Sequence, residues 1–262
     1  MGMESTRTAL ITGAAGGLGF AISERLASSG CRVALVDIDV DRVKKSASRI
    51  DGAVGLGCDV TDEAQVVDTL AKFTEIFTSA PDILVNNAGI VRFGSLLEQS
   101  VEDFRRVVDV NLIGTFVVSK VVGAAMIARG TGAIVNITSL NAFAPSPDAG
   151  AYPATKAAIA KLTEQMTLTF APKGIRVNAV APGFMDAGMS QPIYVDPAVR
   201  AVRAGGVPVG RIGTADDVAA AVAFLVSPEA DYIHGQHLLV DGGVSCSLKN
   251  HLPRKPPKEA EK

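Results

Sequence analysis

Residues 8–11 are a short apolar segment that runs into Thr12-Gly13-Ala14-Ala15-Gly16-Gly17-Leu18-Gly19, and residues 18–28 continue as an amphipathic stretch. An apolar run, a glycine turn and a helix-periodic segment in this order predict a strand, a tight turn and a helix. Gly13 permits a sharp exit from the strand, Gly17 lets backbone approach an anion, and Gly19 lets the helix pack closely on a sheet. Free N–H groups at the helix start face the same point, so the unit is shaped to hold a pyrophosphate.

A second apolar segment, 32–36, ends in Asp37 and is followed by Ile38. A carboxylate at that point can accept both hydroxyls of an adenosine ribose and repel a 2′-phosphate. The competing explanation is that Asp37 or Asp39 only caps the next helix. No Lys or Arg occurs among Ala14, Ala15 and Gly16 or directly after Asp37. The expected cofactor is NAD in preference to NADP.

Tyr152 and Lys156 are four residues apart, and Ser139 lies thirteen residues before Tyr152. A phenol titrates near pH ~10, so Tyr152 exchanges protons at neutral pH only where a cation favours the phenolate. Lys156, one helical turn on, can supply that charge. A Tyr and a Lys at this spacing also occur as a core ring beside a solvated amine; the glycine turn upstream is what favours the chemical reading.

Strands are expected near Ala9, Val33, Val54, Ile83, Ile134, Val177 and Leu239, with helices between them. Ser100 with Asp103, and Thr214 with Asp217, mark helix starts. Seven parallel strands with right-handed crossovers give an α/β, doubly wound sheet flanked by helices, within one domain spanning 1–248. Residues 185–206 hold Pro192, Pro197 and three glycines, which fits an irregular substrate lid or an ordinary surface connection. Phe184, Met185, Met189, Ile193 and Tyr194 would be its apolar inner face. Phe93, Leu140, Asn141 and Phe143 would be the opposite wall. With Arg92 the only basic residue among these wall positions, a strongly anionic substrate is disfavoured, although Arg200 and Arg203 on the lid leave it open. Residues 249–262, with three prolines and five basic residues, are expected to be a disordered tail.

The chain resembles the short-chain dehydrogenase/reductase family over roughly residues 6–244. The marks arrive in that family's order: the glycine turn, Cys58-Asp59-Val60, Asn86-Asn87-Ala88-Gly89, Asn111, Ser139, Tyr152 with Lys156, Pro182-Gly183 and Val240-Asp241-Gly242-Gly243. The resemblance implies a Rossmann-like fold and hydride transfer between NAD(H) and a secondary alcohol or ketone. It also implies that Asp59 and Val60 hold the adenine, and that Asn87 and Ala88 line the adenosine ribose and sheet centre. The cofactor set further includes Gly13, Gly17, Leu18, Gly19, Asp37, Ile38 and Met185. Ser139 would bond the substrate oxygen, and Tyr152 would be the general acid/base. Lys156 would hold the nicotinamide ribose while lowering the phenol's pKa. Asn111 would kink its helix and bind a water linking Lys156 to solvent; otherwise it is a polar residue satisfied at a helix contact. Related chains usually carry a Thr where this one has Ala187, so either the Met185 backbone or Ser190 must grip the carboxamide.

Composition bounds the rest. With 25 basic and 27 acidic residues the net charge is -2, which offers no field for nucleic acid or a membrane surface. Cys31, Cys58 and Cys246 are few and odd in number, so a disulfide framework is not expected and a reducing cytoplasm is. Cys31 and Cys58 are assigned to strands. His234, His237 and His251 show no ligand spacing, and no metal site is expected. The stretch 112–128, interrupted by Ser119 and Lys120, is taken as core and subunit interface. Apolar residues there, including Val117, Val118, Val121 and Val122, and in 151–172, including Met166 and Leu168, exceed what one sheet covers. A homo-oligomer is therefore expected, and the resemblance points to a tetramer. Two alternatives stand beside the dehydrogenase: a 3-oxoacyl-carrier-protein-type reductase, with Arg129 and Lys173 as basic carrier contacts beside the site, and a noncatalytic NAD-binding scaffold.

Overall fold

The structure is a computed structural model that describes residues 6–247. The proposed tail and His251 lie outside the described residues. The chain alternates strictly at first: β1 (Thr8–Thr12), α1 (Gly17–Ser28), β2 (Arg32–Asp37), α2 (Val40–Ala47), β3 (Val54–Gly57), α3 (Glu63–Phe77) and β4 (Ile83–Asn86). The second half continues with α4 (Val101–Val108), α5 (Gly114–Arg129), β5 (Gly132–Ile137), α6 (Tyr152–Phe170), β6 (Ile175–Pro182), α7 (Pro197–Gly205), α8 (Ala215–Val226) and β7 (His237–Val240). The seven strands form one parallel sheet in the order β3-β2-β1-β4-β5-β6-β7. The order reverses between β1 and β4, and there the carboxyl ends of the strands open a crevice for a ligand.

Strands buried on both faces read as unbroken apolar runs, and every residue of β1 is buried. One face packs Ile11, Leu35 and Val85 with Ile22 and Leu26 of α1 and Val218, Val222 and Leu225 of α8. The other packs Leu10, Leu84 and Ile134 with Phe73 of α3, Val118, Val122 and Met126 of α5 and Met166 of α6. A polar chain crosses this second layer. The Asn86 amide donates to Ser119 Oγ and Asn136 Oδ1, both at 2.8 Å, and Asn136 donates to Thr163 Oγ1 at 2.9 Å. These bonds pin α5 and α6 to the sheet centre, because a buried amide left unpaired is costly.

Helix starts fall where the sequence put them. Ser100 caps α4 by accepting from Asp103 N, and Thr214 with Asp217 forms a capping box on α8. Arg211 adds a bidentate pair to Asp217 at 2.7 and 2.8 Å, holding that carboxyl far below its usual range.

Several expectations need correction. Cys31 and Cys58 flank β2 and β3 instead of lying in them. The segment 185–206 is largely helical, with a 3-10 turn at Gly188–Tyr194 followed by α7. Val117, Val118, Val122 and Met166 are buried inside the subunit, because these faces of α5 and α6 lie on the sheet. The large apolar side chains left exposed on α4, α5 and α6 are Val101, Phe104, Phe116 and Leu168, the last 73% exposed. The run Val101–Arg129 reaches a mean hydropathy of 1.8 over its most apolar window, long and apolar enough to cross a membrane, yet 56% of that window is buried within the fold.

Candidate active site

The glycine turn at the end of β1 is held from three sides. Gly13 has φ +63°, and a Cβ there would meet Ala88 Cα at 2.7 Å; Gly17 has φ +55°, and a Cβ there would meet Gly188 Cα at 2.8 Å. Only glycine combines that backbone with that clearance. Asn87 donates to Thr12 O at 3.0 Å and Gly13 O at 2.9 Å, while Thr12 Oγ1 accepts from the N–H groups of Asn87 and Ala88 at 3.1 Å. Asn87 thus staples the turn to the end of β4. Thr12 was not singled out for this role, since nothing in its sequence neighbourhood announces a partner 75 residues away. From the third side, Ser46 of α2 donates to Ala15 O at 2.8 Å.

The geometry separates Asp37 from Asp39. Asp39 caps α2 by accepting from Arg42 N at 3.0 Å, whereas Asp37 turns to the glycine turn and accepts from Ala15 N at 3.1 Å. The absence of basic residues near Asp37, drawn from immediate neighbours only, is overturned. The first turn of α2 returns Arg42, whose guanidinium lies 2.7 Å from where a Cβ on Gly16 would stand, and Arg42 lines the cleft with Asp37. Five residues separate the two in sequence, and only the helix folds one over the other.

The cleft has a volume of about 1050 Å³ and runs from Asp37 past Gly13, Gly17 and Asn87 to Ser139, Tyr152 and Lys156. Leu18 and Met185 also line it. Gly19 lies beneath, where a Cβ would sit 2.4 Å from Gly13 O, and Ala88 forms its backing against Gly13. Asp59 and Val60 do not line this cleft: Asp59 accepts from Thr61 N and Oγ1, and Val60 is buried beside Gly114. Ile38 is 61% exposed outside it.

At the far end, Ser139 closes β5 and caps a short 3-10 turn, its Oγ accepting from Asn141 N at 3.1 Å. Tyr152 opens α6, and Lys156, one turn on and 4% exposed, holds its Nζ 5.5 Å from the Tyr152 ring centre. The Lys156 ammonium donates to Ile137 O at 2.8 Å. Burial brings the Lys156 amine down to about 8. Burial also raises the Tyr152 phenol, and the Ser139 hydroxyl acts in the opposite direction. The bond to Ile137 O uses one donor of the Lys156 ammonium, and its charge stays close to the Tyr152 ring.

Asn111 sits in a π-helical turn, Asp109–Ile113, between α4 and α5. Its side chain accepts from Ile90 N at 2.8 Å and donates to Ile90 O at 3.0 Å and Thr155 Oγ1 at 3.1 Å. Thr155 in turn donates to Tyr152 O at 2.8 Å. The hydrogen bonds of Asn111 are those of a polar side chain satisfied at a helix contact, and the helix is wound as a π turn at this point. Asn111 is also near Lys156, since a Cβ on Gly89 would meet Asn111 Oδ1 at 3.2 Å and Lys156 Nζ at 3.5 Å.

The substrate end is bounded by Phe184, Met189, Ile193 and Tyr194 on one side and Phe93, Leu140 and Asn141 on the other. Phe143 is not part of that wall; it is half exposed and packs edge-on to His237 at 5.7 Å. Arg92 pairs with Asp103 outside the cleft. Ala187 lines the cleft without a hydroxyl, with Ser190 close by. Arg129 and Lys173 precede β5 and β6, at the amino ends of the strands opposite the cleft, and Arg129 is committed to Ala80 O, Pro81 O and Asp82. They are not basic contacts beside the site.

Comparison with known proteins gives this geometry a context. Residues 13–245 match the family model described as enoyl-(acyl carrier protein) reductase, a short-chain dehydrogenase/reductase model. The chain is 39% identical over 244 residues to 2-(S)-hydroxypropyl-CoM dehydrogenase 3 of Xanthobacter autotrophicus, covering 90% of this chain and 95% of that protein. Among solved structures, levodione reductase aligns with a TM-score of 0.88 at 32% identity, over 93% of this chain and 99% of the other. A candidate 2-deoxy-D-gluconate 3-dehydrogenase from Agrobacterium tumefaciens, with bound NADP, aligns with a TM-score of 0.83 at 36% identity, over 93% and 98%.

Proposed function

The chain belongs to the short-chain dehydrogenase/reductase family, and on that premise we propose that it is an NAD-dependent dehydrogenase interconverting a secondary alcohol and its ketone. The observation that carries this reading is the convergence of Ser139, Tyr152 and Lys156 on the cleft that begins at the glycine turn. The residues fit a dinucleotide: Gly13 and Gly17 line the cleft with backbone alone and let the turn pass close to Ala88 and Gly188, and Asp37 offers a carboxylate beside the turn.

When bound, the nicotinamide supplies the hydride acceptor or donor. Ser139 holds the substrate oxygen. In oxidation Tyr152, as phenolate, takes the hydroxyl proton while the carbinol carbon gives up its hydride; in reduction the phenol returns the proton. A buried phenol held above its usual range needs a cation to ionise near neutrality. Lys156 would supply that cation and would hold the nicotinamide ribose with the ammonium donors not engaged by Ile137 O. Asn111, through Thr155 and the Tyr152 carbonyl, positions the start of α6.

Asp37 favours NAD by repelling a 2′-phosphate, and Arg42 tempers that preference by offering the phosphate a counter-charge. The coenzyme discrimination is accordingly moderate. Residues 185–206 act as the lid, and the Met185 backbone or Ser190 takes the carboxamide in place of the missing Thr. The free thiols Cys31, Cys58 and Cys246 suit a cytoplasmic enzyme. Phe104, Phe116 and Leu168 support a homotetramer built on α4, α5 and α6. Phe116→Glu should dissociate it, as sedimentation would show; a fully active wild-type monomer at micromolar concentration would rule that assembly out. The enzymatic reading is tested by following 340 nm absorbance with a panel of secondary alcohols and both coenzymes. Turnover with NAD is expected, and a purified, folded protein inert to the whole panel would favour the scaffold.

A further inference from the structure

Helix α7 carries Arg200 and Arg203 one turn apart, and the fold uses them differently. Arg200 pairs with Asp186 at 2.5 Å, which already ties the helix to the segment after β6. Arg203 is half-buried and lines the cleft. Its guanidinium carbon lies 5.4 Å from the Phe184 ring centre and 5.8 Å from that of Tyr194. Among the described residues it has neither an ion-pair partner nor a hydrogen-bond acceptor. Two aromatic faces thus fix the guanidinium while its N–H edges stay unused, and those edges form a fork that matches a carboxylate.

The charges around the cleft point the same way. Its charged lining among the described residues is Asp37, Arg42, Lys156, Asp186 and Arg203. Asp37 and Arg42 stand at the glycine turn, Lys156 is bonded to Ile137 O, and Asp186 is neutralised by Arg200. Arg203 is what remains at the substrate end, beside the apolar surfaces of Phe184, Met189 and Ile193. In such a wall a charged acceptor gains more than it would in open water.

We infer that Arg203 is a specificity-determining residue that receives a carboxylate of the substrate, so that the favoured substrates are hydroxy acid and oxo acid anions with the carboxylate remote from the reacting carbon. This rests on the dehydrogenase reading and narrows its substrate class. The sequence disfavours a strongly anionic substrate but leaves it open through Arg200 and Arg203; of the two, Arg203 is the one that lines the cleft unpaired among the described residues.

The test compares 3-hydroxybutanoate, 4-hydroxypentanoate and 5-hydroxyhexanoate with their primary amides, in wild type, Arg203→Leu and Arg203→Lys. For the best chain length, kcat/KM should favour the anion over its amide by about 10- to 100-fold, mostly through KM. That ratio should collapse toward one in Arg203→Leu and recover in part in Arg203→Lys. A ratio near one in wild type, or an equal ratio in Arg203→Leu, overturns the inference. Calorimetric titration of NAD-saturated protein with the same compounds gives a readout without turnover. Arg203-dependent binding of the anions with no oxidation of any compound would defeat the dehydrogenase reading and leave the carboxylate site standing. Oxidation without anion preference would do the reverse.

Discussion

The glycine turn and the lid meet at Gly17 and Gly188, yet they are built by opposite means. The turn is made of backbone: positive φ at Gly13 and Gly17, N–H groups and carbonyls, with Asn87 and Thr12 as staples. The proposed lid, 185–206, is made of side chains: Ile193 and Tyr194 pack with Phe184, Val207 and Ile212 beside it, and Arg203 lies against Phe184. A site built of backbone geometry tolerates almost no substitution and has one kind of ligand. A site built of side chains can be recut for another ligand without disturbing the sheet. That division is why one fold serves many substrates while keeping one cofactor class.

The largest expected effect isolates chemistry from both regions. Tyr152→Phe removes one oxygen and little contact area, so turnover should fall by roughly 10²- to 10⁴-fold while NAD affinity, followed by fluorescence titration, stays near wild type. Retention of more than a few per cent of the rate would mean another acid or base is at work.

Next in size is a direct contrast of the two regions. Gly17→Ala forces a left-handed residue and a Cβ against Gly188 backbone, a strain of about 1 to 3 kcal/mol that should weaken NAD binding about 10- to 100-fold. Ile193→Ala, on the lid, should instead shift substrate KM several-fold and leave the NAD dissociation constant unchanged. Equal damage to NAD binding by both would erase the distinction.

Within the turn itself, Asp37→Ala should narrow the preference for NAD over NADP by roughly tenfold, because it removes the repulsion and leaves Arg42. Arg42→Ala should widen that preference. A wild type that uses both coenzymes equally would sink the role given to Asp37.

The last effect, read on stability instead of on binding or turnover, concerns Lys156 in the cofactor-free protein. Its amine falls from an ordinary 10.5 to about 8 through burial. The unfolded chain therefore binds more protons than the native one between those values, and stability rises with pH across that window. Lys156→Met lacks this gain. Its advantage over wild type in urea unfolding should shrink by up to about 3 kcal/mol between pH 7 and pH 10. A gap that does not move with pH would show that the amine is not desolvated.

Legibility in the sequence follows the range of the contacts. The strand-turn-helix units, the caps at Ser100 and Thr214 and the seven-strand sheet were readable, since each rests on periodicity or on residues three or four apart. The candidate site was readable where its chemistry is compressed into one short motif, as for Tyr152 with Lys156, or where only one residue type fits, as at Gly13 and Gly17. Arg42 was not legible because it lies beyond the immediate neighbours of Asp37, and only the first turn of α2 folds it over Gly16. Asn87 lines the cleft and also staples the glycine turn; the staple was not legible, because a side-chain amide gives no sign in one dimension of which backbone it will meet.

By itself the sequence determined the doubly wound sheet, the glycine turn and the groups proposed to react. All three are set by local conformational preference, apolar periodicity and intrinsic acid-base chemistry, which belong to short stretches of chain. Tertiary structure alone decided that Val117 and Val122 are core, that Phe143 leaves the cleft wall, that Lys156 is desolvated onto Ile137 O and that Arg203 is the unpaired cation at the substrate end. Burial and charge pairing depend on what the rest of the fold brings alongside a residue. No residue carries that information in its own neighbourhood.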